Sequence, residues 1–219
     1  MFSGFNTLIS DPRSFLYRIP AILIGLTFHE WAHAFAADKL GDPTAKNMGR
    51  MTLNPIAHID PIGLASLLLL GFGWAKPVPV NARNFKNFRR DDIIVSLAGI
   101  TANLLIALIT TLVLYPLVYL TRLGGNDAFT QIMLNIIGID LSLAVFNLIP
   151  LYPLDGSHVA ESLLFRYIPK VFFFLRKYGY YILLALMLTG VLTPVLSAVA
   201  NWLFGLFQSL AIRITLALI

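Results

Sequence analysis

From Ile93 to Leu120 the chain carries no formal charge. A helix needs about 20 apolar residues to cross a hydrocarbon core, and this run exceeds that. In lipid no water is present to satisfy backbone N–H and C=O groups, so a spanning segment must satisfy its own, as a helix does. Further apolar runs extend over Phe15–Leu40, Ile132–Leu151, Tyr178–Val199 and Asn201–Ile219. Of the 219 residues 58% are hydrophobic and 12% charged, against about a quarter charged in a soluble domain. The expected fold is an all-α polytopic membrane protein, with residues 1–219 forming a single integral-membrane domain.

The chain has no cysteine. That excludes a thiolate metal site, a catalytic cysteine and a disulfide framework, leaving histidine and carboxylate as candidate metal ligands. The net charge is +5, but the basic residues fall between apolar runs without interleaved stacking aromatics. They read as topology signals, and no nucleic-acid partner is expected.

The first apolar run contains Phe28-His29-Glu30-Trp31-Ala32-His33. On a helix His29 and His33 lie one above the other on one face, spaced to grip a single cation. Glu30 sits beside that face, where its carboxylate can act as a general base on water without being a ligand. Ionisable groups at membrane depth cost about 2.5 kcal/mol or more each unless partnered, and mark functional sites by default. The neighbours Ile22, Leu23, Ile24, Leu26, Phe28, Trp31 and Phe35 leave the triplet no solvated face. The pattern is that of zinc hydrolases written into a membrane segment.

Along the chain, Phe2, Phe5, Leu8 and Ile9 recur at helical spacing before Asp11-Pro12, as in an interfacial helix. No removable signal peptide is expected, because a charged leader with an apolar core is missing from residues 1–16. Residues 41–61 are turn-rich. The apolar stretch Ile62–Ala75 is too short for a helical crossing and reads as a re-entrant segment. It closes on Gly71-Phe72-Gly73 and leads into Lys76-Pro77-Val78-Pro79-Val80-Asn81, whose prolines and β-branched residues favour extended, hairpin-like backbone. Such an edge could pair with an unwound substrate. Asn103 lies in the second full span and needs a partner there. The third span holds Asp140 and Asn147 and breaks at Pro150, Pro153 and Gly156, delivering Asp155 as the third metal ligand. A helix cap is the competing reading of Asp155, and His58 and His158 are rival ligands.

Basic residues concentrate at 39–50, 76–90 and 166–177. If the 62–75 segment enters and leaves on one side, all three basic loops share that side, which the positive-inside rule makes cytoplasmic. Five spans result, with an outside N-terminus and the metal cluster near the cytoplasmic end of the first span.

With both motifs in view, the chain resembles the site-2 protease family of intramembrane zinc metalloproteases along nearly its whole length. His29-Glu30-Trp31-Ala32-His33 is similar to that family's catalytic motif. Pro153-Leu154-Asp155-Gly156, preceded by Asn147 and Pro150, is similar to its second motif, and Met48 to Pro55 and Lys76 to Asn81 resemble its loops. The resemblance implies zinc held by His29, His33 and Asp155, Glu30 as base, Asn103 near the scissile carbonyl, and Gly71, Phe72 and Gly73 flanking substrate. It implies a membrane-protein substrate within the lipid bilayer and a prokaryotic cell membrane. Ile100 and Ser157 depart from the family's usual proline and glycine. The length leaves no room for the PDZ or CBS domain many relatives carry, so a minimal form is expected. The competing functions are a proton- or metal-ion transporter using the same His, Glu and Asp cluster, and an inactive membrane scaffold. No internal repeat of the transporter kind is visible.

Overall fold

A computed structural model describes residues 10–70, 73–121 and 127–217. The interfacial helix expected over Phe2–Ile9 lies outside them. Asp11 opens the first described helix: its carboxylate accepts the Ser14 N–H at 3.2 Å, and Pro12 follows with its φ already helical. That helix, α1, spans Pro12–Lys39. After it come a short α2 (Thr44–Asn47), a 3₁₀ turn (Pro55–Ala57), α3 (Pro61–Leu70) and a second 3₁₀ turn (Ala82–Asn84). The remainder is α4 (Phe88–Thr121), α5 (Ala128–Asn147), α6 (Asp155–Leu164), α7 (Pro169–Thr189) and α8 (Leu192–Ala217).

Among the described residues four helices, α4, α5, α7 and α8, are long and apolar enough to cross a membrane, so the chain is built as a membrane protein. The expected fifth span is α1. It has 28 residues, but spends part of its apolarity on His29, Glu30 and His33 and is not among the four.

One boundary differs from expectation. The last two apolar runs were divided at Ala200, whereas Ala200 and Asn201 lie inside α8 and the break falls at Gly190-Val191. Gly190 has φ 71 and caps α7 in the left-handed conformation, which a side chain disfavours. Pro194 then sits in the first turn of α8, where its missing N–H is not needed. Apolar character is continuous across this corner, so hydropathy alone does not locate it. The earlier start of α7 also moves Lys170, Arg176 and Lys177 from a connecting loop onto a helix.

Of the 62–75 segment the described residues are the helix α3 and, from Gly73 onward, a non-helical return. The chain on either side of α3 comes together: Ile59 and Ala75 form an isolated antiparallel bridge, and the Lys76 N–H donates to His58 O at 2.8 Å. Among the described residues this bridge is the only β pairing, so the expected hairpin-like segment reduces to one pair, α3 supplying the outward limb.

The core that positions the site is made where α1, α4 and α5 pack on one another. Small residues on α1, among them Ala21, Gly25, Ala34 and Ala37, are buried and let the helices approach. Ala107 and Leu114 of α4 meet Ile137 and Leu141 of α5, and α8 closes over them with Leu203, Phe204 and Phe207. Large apolar side chains face outward instead, such as Leu105, Ile109 and Val113 on α4 and Trp202, Leu206 and Leu210 on α8.

Candidate metal centre

The α1 helix brings its two motif histidines together as the spacing predicts, with Nε2 atoms 3.1 Å apart. Each ring is oriented by an acceptor on α4 at its other nitrogen. His33 Nδ1 lies 2.7 Å from the Val95 carbonyl, and His29 Nδ1 lies 2.7 Å from Asn103 Oδ1. Both acceptors are oxygens, so Nδ1 carries the proton in each ring and the Nε2 lone pair stays free. A metal-binding histidine needs that arrangement.

The third group arrives from the opposite side. After α5 ends at Asn147, a proline-containing turn leads to Asp155, the first residue of α6. The cap position belongs to Leu154, and no side chain caps the helix. The Asp155 carboxylate is turned to the histidines instead: Oδ2 lies 3.3 Å from both Nε2 atoms and makes no hydrogen bond of its own. The three atoms form a near-equilateral triangle. A tetrahedral zinc ion about 2.0–2.1 Å from its nitrogen and oxygen ligands has ligand–ligand edges of about 3.4 Å. The observed edges of 3.1, 3.3 and 3.3 Å fit such an ion, with the fourth position open. This is the one cluster of its kind among the described residues.

Room for the cluster comes from Gly99 on α4. A Cβ there would lie 2.7 Å from Cε1 and Nδ1 of His29 and closer still to His33 Nε2. In sequence Gly99 reads only as a small residue suited to helix packing; its closeness to both imidazoles depends on how α4 is rotated against α1.

Glu30 is buried beside the cluster, and its Oε2 accepts the Val78 N–H at 2.7 Å. Val78 belongs to the extended return and packs against Ala34 and Ala45. Around it the segment is held by polar contacts: Arg50 Nη2 donates to the Lys76 and Pro77 carbonyls at 2.8 and 3.2 Å, and Asp42 accepts the Asn81 N–H at 2.7 Å. Asp42 also accepts from Asn84 Nδ2 and from Thr44. Burial pushes the Asp42 carboxyl upward, but the Thr44, Asn81 and Asn84 donors outweigh it and hold the group below the usual carboxylate range.

The remaining sequence candidates are distributed differently. Asn103 stands behind the cluster, and its amide donates to Gly25 O at 3.0 Å and Asp140 Oδ1 at 2.6 Å. Both amide hydrogens are therefore committed to oxygen acceptors, and Oδ1 to His29. His58 is buried in the 41–61 loop with Nε2 on Thr52 O at 2.8 Å, and His158 stacks edge-on to Tyr152, its Nδ1 3.9 Å from Asp92. Neither joins the cluster. Gly71 and Phe72 lie outside the described residues, and Gly73 packs against Gly63 and Leu67 of α3.

Relatives of this chain extend along most of its length. One, from Bacillus subtilis, is 39% identical over 204 residues, covering 89% of this chain and 92% of its own. Another, from Mycobacterium tuberculosis, is 30% identical over 203 residues, 88% of this chain and 74% of its own. A third, from Mycolicibacterium smegmatis, is 29% identical over 198 residues, 87% and 73% of the two chains. All three carry the name "Putative zinc metalloprotease", the first as YwhC and the others as Rip2. No family model and no solved structure matches. Aligned with such relatives, and with both of its separated ligand motifs in place, the chain belongs to the site-2 protease family.

Proposed function

We propose that this chain is an intramembrane zinc endopeptidase that hydrolyses a peptide bond in or near a transmembrane helix of a membrane-protein substrate. The observation that carries this reading is the convergence of His29 Nε2, His33 Nε2 and Asp155 Oδ2, with Glu30 beside them, inside a bundle of apolar helices. Zinc held there supplies Lewis acidity to a peptide carbonyl and brings the pKa of water to about 7. Glu30 is the general base: Val78 fixes one carboxylate oxygen, and the carboxylate takes the proton of the attacking water and returns it to the leaving amine. The extended return from Lys76 to Asn81 offers an edge beside Glu30 for a locally unwound substrate, whose carbonyl a helix would otherwise shield. The concentration of basic residues in the loops at this end of α1 supports a cytoplasmic position for the site in a bacterial cell membrane.

The test is cleavage of a single-span model substrate by the purified chain and its Glu30→Gln variant in detergent. The parent is expected to cleave, and the variant to lose roughly 10²–10⁴-fold in rate while keeping its zinc. Undiminished cleavage by Glu30→Gln, or a parent that carries no zinc when purified without chelator, overturns the reading.

A further inference from the structure

Asp140 is the buried acid that the proposed hydrolysis does not use. It sits in the middle of α5, fully buried, with Oδ1 2.6 Å from Asn103 Nδ2 and Oδ2 without any hydrogen-bond partner. Three helices meet along one line of contacts: His29 on α1, Asn103 on α4 and Asp140 on α5.

An asparagine amide has two faces of opposite character, donor on nitrogen and acceptor on oxygen. With Nδ2 drawn to Asp140 Oδ1 and Gly25 O, only Oδ1 can face His29. An oxygen in that position requires the proton on His29 Nδ1 and leaves Nε2 unprotonated toward His33 and Asp155. Reversed, the amide would present N–H groups to Nδ1, the ring proton would move to Nε2, and the ring could no longer offer that nitrogen to a cation. As the structure stands, Asp140 Oδ1 and Gly25 O both accept from Asn103 Nδ2, and losing both acceptors is the cost of the reversal.

We infer that Asp140 is a positioning residue for the metal centre: through Asn103 it selects the tautomer of His29 that binds zinc. The inference rests on the metal-site reading above and adds to it a residue remote from the metal. Outer partners of this kind typically change metal affinity by 10–100-fold.

The experiment is zinc affinity by chelator competition, with thermal unfolding of the metal-free protein measured alongside. Asp140→Leu is expected to weaken zinc binding 10–100-fold; it also leaves one buried Asn103 amide hydrogen without its acceptor, so the unfolding of the metal-free chain is read beside the affinity. Asp140→Asn keeps an acceptor oxygen and is expected to restore most of the affinity. A parallel test avoids any fault of folding. Asn103→Asp alone sets two carboxylates against each other and weakens zinc binding, whereas Asn103→Asp with Asp140→Asn restores an acceptor for His29 and a donor between α4 and α5, and recovers it. Equal zinc affinity in Asp140→Leu and parent, or a double variant no better than Asn103→Asp, overturns the inference. A parent that binds no zinc instead overturns the metal-site reading, so the two failures are distinguishable.

Discussion

The polar side chains buried in this chain divide by what they touch. His33 and Asp155 converge on one point, whereas His58 turns its Nε2 to the Thr52 carbonyl and His158 rests against Tyr152. Zinc measured per mole of protein is therefore expected to fall well below one in His33→Ala and Asp155→Ala and to stay at one in His158→Ala. The second residue-scale prediction concerns acid. Asp42 has a folded-state pKa lowered from the ordinary carboxylate value, so its contribution to stability is full above about pH 4 and lost as pH falls through the lowered value. Thermal unfolding of the parent should drop in that window. Asp42→Ala should be destabilised by about 1–3 kcal/mol near neutral pH, the cost of orphaning buried donors, with a flatter acid response.

At the scale of elements, α4 is the helix whose rotation decides the site, since it supplies Val95 O, Gly99 and Asn103 on one face. Gly99→Ala puts a methyl group where the imidazoles stand and is expected to weaken zinc binding by at least tenfold, read by chelator competition. Gly138 on α5 is the matched control, because a Cβ there meets nothing within 4 Å. Gly138→Ala is expected to leave zinc binding unchanged and to stabilise the helix by about 0.5–1 kcal/mol. The α3 helix and its extended return form the other decisive element, holding Val78 against Glu30 through Arg50 and Asp42.

For the whole molecule, the basic residues and the Ile59–Ala75 bridge, which brings both sides of the α3 segment together, predict one arrangement across the bilayer. The absence of cysteine makes it testable with single introduced thiols. In intact cells, Lys46→Cys, Arg83→Cys and Lys170→Cys should resist a membrane-impermeant maleimide, while Val191→Cys, at the turn between α7 and α8, should react. Reaction of Lys46→Cys from outside would reverse the orientation.

Fold class and the His29–His33 pairing were legible in the sequence because both are short-range properties. Apolar runs of spanning length leave the backbone few choices, and four residues of helix bring two imidazoles onto one face. Asp155 could be proposed from its place in a proline-broken apolar run. The α7–α8 corner was not legible, because Gly190 acts through a backbone angle and leaves hydropathy unchanged. Contacts that cross the bundle belong to the tertiary structure alone. His29 and Asn103 are 74 residues apart, Glu30 and Val78 are 48 apart, and Asn103 and Asp140 are 37 apart. Which polar group faces which across such separations depends on the rotation and depth of each helix. Those are decided by how closely the small residues of α1 and α4 let the backbones approach, and helical periodicity within one segment carries no record of it.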